Sequence, residues 1–441
     1  MRHGNPCLFY LTKHCFNDKI YKDKPITDNG GNMKFSRYNY EVSNDKAAIV
    51  FNGMTGSSMF FLKDAYDNFK KLELTDEEIT AFKKIGFLVE DDLDEVENFL
   101  FTRRVADAGR RAVNYLVYTT TNCNARCTYC YEKGTKLMNM SDEVMDEVVE
   151  YITSNLTDEV LVAIQWFGGE PFCNPKVIDI ITKKLKPILA KHNIAYQASV
   201  ITNASLVTKE IAKKAKEEWD IAWAQVTLDG TKENYERIKN YKTNVTFEQV
   251  IQNIHNFLDV GISVSIRLNY NKENMEDMKK LIAYLSKEFP DKSLIDVYTY
   301  RIYDGKKDGA MDAELFKVLR QNGFRKNLDL IVSPNFSNCM ARGLKDATIM
   351  PDGRLLKCCH AEALKHGIVG SVFEPTFNHH ICKWCSPRLP EKCYECKFLP
   401  ICNGGCIYEM FTNQDFCMTN DEFVTCVLEE MLKERLVEIE K

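Results

Sequence analysis

Apolar and polar positions along this chain follow two alternating rhythms. Between residues 113 and 304, strand-like runs recur as "AVNYLVYTT", "EVLVAIQWF", "AYQASVIT", "IAWAQVTL", "ISVSIRLNY" and "LIDVYTYRIY". Stretches of helical period separate them, among them "MSDEVMDEVVEYITSNL", "PKVIDIITKKLKPILAKH" and "KEIAKKAKEEW". Repeated βα units predict a parallel sheet with right-handed crossovers. Six units in place of eight predict an α/β fold built on a partial (β/α)6 TIM barrel, with its working face at the C-terminal strand ends.

The flanks read differently. Residues 1–32 form a polar extension with a flexible junction at "DNGGN", and Met33 offers an alternative start. In 33–110, "YNYEVS" and "AAIVFNG" alternate as strands do. "LTDEEITAFKKIGFLV" carries an N-cap signal at Thr75 before an acidic first turn. Strands, helices and a short wing predict a winged-helix-like module. After the barrel, 111–320, comes a C-terminal segment, 321–441. It is dense in Cys, Gly and Pro and loses period until a final helix, "VLEEMLKERLVEIEK". Such a segment is expected to depend on metal to fold.

Composition narrows the function classes. A net charge of −5 weighs against a nucleic-acid partner, which calls for a basic face. The first apolar stretch, "CLFYLT", is too short for a signal sequence or a membrane span, so a cytoplasmic protein without a membrane partner is expected. The 17 cysteines are the anomaly. Their number is odd, and eleven crowd into residues 339–426. Clustered thiols in a reducing compartment point to metal.

The sharpest motif is "TNCNARCTYCYEKG", just after the first strand, with Cys123, Cys127 and Cys130 spaced C-x3-C-x2-C. Three thiolates can hold three irons of a [4Fe–4S] cube and leave the fourth open to a small chelating ligand. With Tyr129 before the third cysteine, the motif resembles that of the radical S-adenosylmethionine (SAM) superfamily. The resemblance implies that SAM occupies the open iron and is cleaved to a 5′-deoxyadenosyl radical that abstracts hydrogen. The chemistry is the cofactor's, and the protein positions and insulates it.

Companion segments lie at successive strand ends. "WFGGEP" resembles the family's GGEP turn. There Gly168 and Gly169 admit close backbone approach, and Glu170 would accept from the methionyl amine of SAM. "VITNAS" supplies Asn203, with Ala204 where the family has glycine. "VTLDGT" supplies Thr227 as a SAM contact and Asp229 as a residue shaping the rim. "IRLNY" supplies Arg267 and Asn269, toward the SAM carboxylate or ribose.

The C-terminal cysteines resemble the SPASM domain of peptide-modifying radical SAM enzymes. Cys339 precedes Gly353 and Cys358; Cys393, Cys396, Cys402 and Cys406 follow as C-x2-C-x5-C-x3-C; Cys426 comes last. The resemblance implies two auxiliary [4Fe–4S] clusters, making three in all. Cys339, Cys358 and Cys406 would serve the first, and Cys393, Cys396, Cys402 and Cys426 the second. The first then lacks a ligand. That place stays open, or falls to Cys359, Cys382, Cys385 or Cys417, with the Cys382–Cys385 pair the nearest candidate. Cys7, Cys15 and Cys173 are read as incidental.

Two enzyme readings follow. One is a maturase of ribosomally made peptides (RiPPs) that forms a thioether. The other is an anaerobic sulfatase maturase that makes formylglycine; carbon–carbon crosslinking and epimerisation use the same scaffold. Sulfatase maturases usually place an aspartate after the cysteine of G-x4-C, whereas Cys359 and His360 follow Cys358 here. Residues 33–105 resemble a leader-peptide recognition module, which would take a precursor peptide as an added strand. His360 and Glu362 are candidates for proton handling, and a flavodoxin or ferredoxin is the expected reducing partner. A non-catalytic iron–sulfur carrier or zinc scaffold would explain the cysteines but not the GGEP turn.

Overall fold

The computed structural model describes residues 33–302, 309–325, 339–374, 376–412, 417 and 420–439. The N-terminal extension, with Cys7 and Cys15, lies outside them.

Six parallel strands form the centre: β6 (Ala112–Thr120), β7 (Leu161–Gly168), β8 (Ala195–Thr202), β9 (Ile221–Leu228), β10 (Ser263–Tyr270) and β11 (Ile295–Arg301). Each pairs in parallel with its sequence neighbours, as βαβ units require. The strands are apolar along most of their length because helices cover the outer face. Ile164, Trp166, Val200, Val226 and Ile266 are all fully buried. Each such side chain stabilises the fold by roughly 1.5–3 kcal/mol.

Hydroxyl caps start the connecting helices. Ser141 accepts from Val144 N–H before α4 (Asp142–Ser154), and Thr208 from Ile211 N–H before α6 (Lys209–Glu217). Thr246 does the same from Gln249 N–H before the helix Phe247–Asp259. The strands and these helices match the periodic segments of the sequence to within a few residues.

The barrel's inner side is polar where a packed barrel would be apolar. Gln165 donates to Ser199 at 3.3 Å, and Tyr298 donates to Gln225 at 2.6 Å. These buried amides and hydroxyls are paired with one another, while Gln165 Oε1 has no hydrogen-bond partner among the described residues.

At the β6 edge the sheet continues into the C-terminal segment. Strand Ala347–Ile349 pairs in parallel with β6, and Arg354–Leu356 and Ile368–Ser371 follow antiparallel. Leu355, Leu356 and Val369 join the barrel's own core. Backbone pairing and apolar burial thus fasten this segment to the barrel.

The N-terminal part is a meander, β2 (Asn39–Ser43), β3 (Ala47–Asn52) and β4 (Ser58–Leu62), followed by helices Lys63–Lys71 and Asp76–Lys84. Thr75 forms a full capping box with Glu78, as its position in the sequence predicted. A wing-like ribbon, Met33–Phe35 with Leu88–Glu90, and the helix Glu95–Ala108 complete the module.

This module is not separable from the rest. Tyr40, Ile49 and Phe51 share a core with Phe398, Val424 and Val427. The final helix, Asp421–Ile439, begins six residues earlier than its apolar period suggested, and so contains Cys426.

Candidate functional site

The triplet loop follows β6 and rests on the C-terminal end of α7 (Lys232–Lys239). Helix ends leave carbonyls without intrahelical partners. Here the loop supplies the donors: Arg126 N–H bonds the Lys239 and Asn240 carbonyls, and Thr128 N–H bonds that of Ile238. Asn240 allows this turn by taking a left-handed φ of 45°.

Cys123, Cys127 and Cys130 are half-buried on this loop. Cys123 Sγ accepts from Ala125 N–H at 3.3 Å. Burial pushes its thiol up to about 12, with Glu170, Cys127 and Cys173 adding in the same direction. Cys130 is raised by burial as well, with Cys127 again a contributor. Bare thiolates are disfavoured at such sites, and a bound cationic centre is what would take the place of the protons. The donor set therefore fits a thiolate-bound cluster.

The two glycines that close β7, Gly168 at its end and Gly169 after it, bring that strand's end under the loop. A Cβ at Gly168, whose φ is 127°, would lie 2.1 Å from the Thr120 carbonyl oxygen. One at Gly169 would lie 2.4 Å from that of Asn122. Only glycine tolerates both approaches.

Glu170 is then held fully buried beneath the loop. Its carboxylate accepts from Thr202 Oγ1 at 2.7 Å, Asn203 N–H at 2.8 Å and Phe172 N–H at 3.2 Å. Burial outweighs these three bonds and raises its pKa to about 7.

Asn203 links this carboxylate to the loop by donating to Asn124 Oδ1 at 3.0 Å, with Cys123 Sγ at 3.9 Å. Ala204 adopts a φ of 59°, so the turn keeps a glycine-like backbone in spite of its methyl group.

A second network closes the opposite rim. Tyr129 donates to Asp229 at 2.7 Å, and Asn269 donates to Asp229 at 2.9 Å and to Tyr129 at 3.1 Å. Arg267 donates to Asn269 at 3.0 Å and lies over the Tyr300 ring at 3.7 Å. Thr227 sits beside Arg267 in the β9–β10 register. The structure thus brings together Tyr129, Asn203, Asn269, Glu170 and the triplet around one strand-end rim, with Thr227 and Arg267 on adjoining strands.

Sequence reasoning missed Lys239, whose ammonium is buried against Asp229 Oδ2 at 2.8 Å and Tyr129 at 3.4 Å. The only signal was its position nine residues after "LDG". Cys173, read as incidental, is an electrostatic neighbour of Cys123 and Glu170.

The C-terminal thiols fall into two neighbourhoods. Cys406 is raised to about 12 by burial and then by Cys339, while Cys358 and Cys406 both act on Tyr408. Cys393 is raised to about 11 by burial, then by Cys402, Cys396 and Cys417. Cys417 also acts on Cys396.

Cys426 belongs to the apolar cluster against which Cys396 packs. It is buried on the final helix, directs its thiol to the Ala313 carbonyl at 3.7 Å, and has Lys317, Glu430 and Glu429 as its main charged neighbours. Cys382 is exposed, and Cys385 reaches the Gly343 carbonyl at 3.9 Å. Cys358, Cys359 and His360 hold their ligand atoms within 4.8 Å of one another. His360 packs edge-on to Tyr131 at 4.1 Å, and Glu362 pairs with Arg354 at 2.8 Å.

Known proteins bear on this geometry. Residues 117–285 match the Radical SAM superfamily. The radical SAM cyclopropyl synthase TigE of Paramaledivibacter caminithermalis is 22% identical over 426 residues, 86% of this chain and 87% of TigE. A cysteine-type anaerobic sulfatase-maturating enzyme of Clostridium perfringens is 23% identical over 328 residues, 65% of this chain and 86% of that enzyme. The chain spans only 40% and 58% of the length of two archaeal relatives it also matches. Among solved structures, anSMEcpe with bound AdoMet and Cp18Cys peptide superposes with a TM-score of 0.55. At 19% identity it covers 74% of this chain and 98% of that one, which is a likeness of fold. No described helix is long and apolar enough to cross a membrane. With its partial barrel, its C-x3-C-x2-C loop and the GGEP turn beneath it, this chain carries a radical SAM domain.

Proposed function

We propose that the chain is a peptide-modifying radical SAM enzyme of the RiPP-maturase type, acting on a ribosomally made precursor and forming a thioether. What supports this most is the N-terminal meander: among the described residues β4 pairs with β3 alone, leaving one edge open. Leu62 at its end is 58% exposed. An open edge of this kind takes an extended peptide as an added strand. A sulfatase-maturase reading is supported by the relative and fold neighbour above, but Cys359 stands where that reading calls for an aspartate.

In this reading Cys123, Cys127 and Cys130 hold a [4Fe–4S] cluster and SAM, which when bound together supply a hydrogen-abstracting radical. Glu170 accepts the SAM ammonium, Asn203 fixes Glu170 against the loop, and Arg267, Asn269 and Thr227 line the ribose and carboxylate side. The C-terminal thiols would hold two further clusters, which when bound would supply an acceptor for the surplus electron. Cys339, Cys358 and Cys406 serve one. Cys393, Cys396 and Cys402 serve the other, with Cys417 in place of Cys426.

Deleting the module would expose Phe398 and Val427, so it is a poor test. A better one uses Met59 and Phe60. Neighbouring residues of an antiparallel edge strand alternate in N–H direction, so one of the two turns its N–H outward. Proline there removes a donor from the open edge without touching β3. Affinity for a short cysteine-bearing peptide encoded beside this chain, measured by fluorescence anisotropy, is expected to fall at least about tenfold. SAM cleavage without peptide should stay unchanged, and unaltered affinity would remove the leader-binding assignment.

The carboxyl of Glu170 gives a pH test. Its pKa is raised to about 7 in the unliganded protein, so below that pH it is protonated and cannot accept an ammonium without losing its proton. SAM affinity is therefore expected to hold above pH 7 and to weaken by up to about tenfold per unit below it. Equilibrium dialysis with SAM checks this. Glu170→Gln should bind weakly with no such slope, and a pH-independent wild type would contradict the role.

A further inference from the structure

We infer that Lys239 sets the reduction potential of the cluster held by the triplet, acting as a fixed positive charge built into the floor of the site. The inference rests on the radical SAM reading above.

Lys239 ends α7, where its own carbonyl carries the triplet loop through Arg126 N–H. Its side chain is 4% exposed, and that of its partner Asp229 is 1% exposed. The ammonium contacts Tyr129, the residue between Cys127 and Cys130, at 3.4 Å, and its charge acts on both of those thiols and on Glu170. Tyr129 and Tyr235 present their rings to it at 6.0 and 5.8 Å. Burying an ion pair carries a desolvation cost that packing an apolar pair would avoid. A pair kept at this spot, against the thiols and away from bulk water, is therefore notable for what it does to charge there.

Adding an electron to a thiolate-bound cluster adds negative charge. A buried cation close by favours that reduced state, and a buried anion opposes it. Lys239 and Asp229 thus act with opposite signs, and Lys239 is the one whose charge acts on Cys127 and Cys130.

The test is an anaerobic redox titration of the reconstituted full chain, following the reduced-cluster EPR signal that shifts when SAM is added. Lys239→Met is expected to lower the reduced-to-oxidised ratio at a given potential by about tenfold or more, which for a one-electron couple is about 59 mV. Asp229→Asn is expected to move it the other way, and Lys239→Arg to stay near wild type. Loss of packing would shift both neutral variants alike, so opposite signs identify the electrostatic role. An unmoved potential in iron-loaded Lys239→Met, or the same direction in both variants, overturns the inference. If Lys239→Met takes up no iron, Asp229→Asn decides alone: a rise supports the inference and its absence refutes it. A wild-type protein with no SAM-sensitive signal would instead refute the radical SAM reading beneath it.

Discussion

Alanine at any one of Cys123, Cys127 or Cys130 is expected to bring 5′-deoxyadenosine formation from SAM down to background and to remove about four iron atoms per chain. All three thiols sit on one loop over the GGEP turn, and two thiolates are not expected to retain a cube, although the loop stays tied to α7, Asn203 and Asp229. The fold should survive, with stability changing by less than about 1 kcal/mol, because the cysteines are half-buried and carry no core packing. Iron content, product chromatography and thermal unfolding separate these effects. Cys173→Ala is the informative control. Its thiol is close enough to act on Cys123, yet it is exposed and outside the motif. Retained iron and activity in that variant would confine the ligand set to the triplet, and their loss would add a fourth sulfur to it.

The second large effect concerns the C-terminal thiols. Cys417→Ala is expected to lose a further set of about four irons, whereas Cys426→Ala should keep them. The thiol of Cys426 is buried among Val427, Met431 and Phe423 on the final helix, so truncating it removes a small amount of packing, about 1 kcal/mol. Cys417 instead acts on both Cys393 and Cys396. Iron and labile sulfide analysis of the two variants decides between them. The reverse pattern, with iron lost from Cys426→Ala alone, would restore the assignment that the cysteine order first suggested.

These two cysteines show what the sequence could and could not carry. Strand and helix periods placed the barrel elements closely because each βα unit buries one apolar face, and "AYQASVIT" and "IAWAQVTL" coincide with whole strands. The triplet, Glu170 and Asn203 were legible because each lies at a strand end, where the fold converges. The last helix was misjudged at its start. Its first turn, "DEFVTC", is mixed in polarity and shows no stripe until it is packed against β2 and β3. The resemblance grouped Cys426 with Cys393, Cys396 and Cys402; the final helix buries it in the apolar cluster against which Cys396 packs, while Cys417 is the thiol that acts on Cys393 and Cys396. Lys239 was invisible for another reason. A lysine at a helix C-terminus ordinarily points to solvent, and only the tertiary meeting of α7 with the fourth strand end turns it inward against Asp229. The extension of the sheet by Ala347–Ile349 escaped notice as well, since three residues are too short for a period.

One measurement tests the central claim most directly. The full chain, reconstituted anaerobically with iron and sulfide, is incubated with SAM, dithionite and a short cysteine-bearing peptide encoded beside it, and both 5′-deoxyadenosine and peptide mass are read. The account predicts 5′-deoxyadenosine together with a peptide that has lost two hydrogens per modified site. An iron-loaded protein that forms no 5′-deoxyadenosine would contradict it.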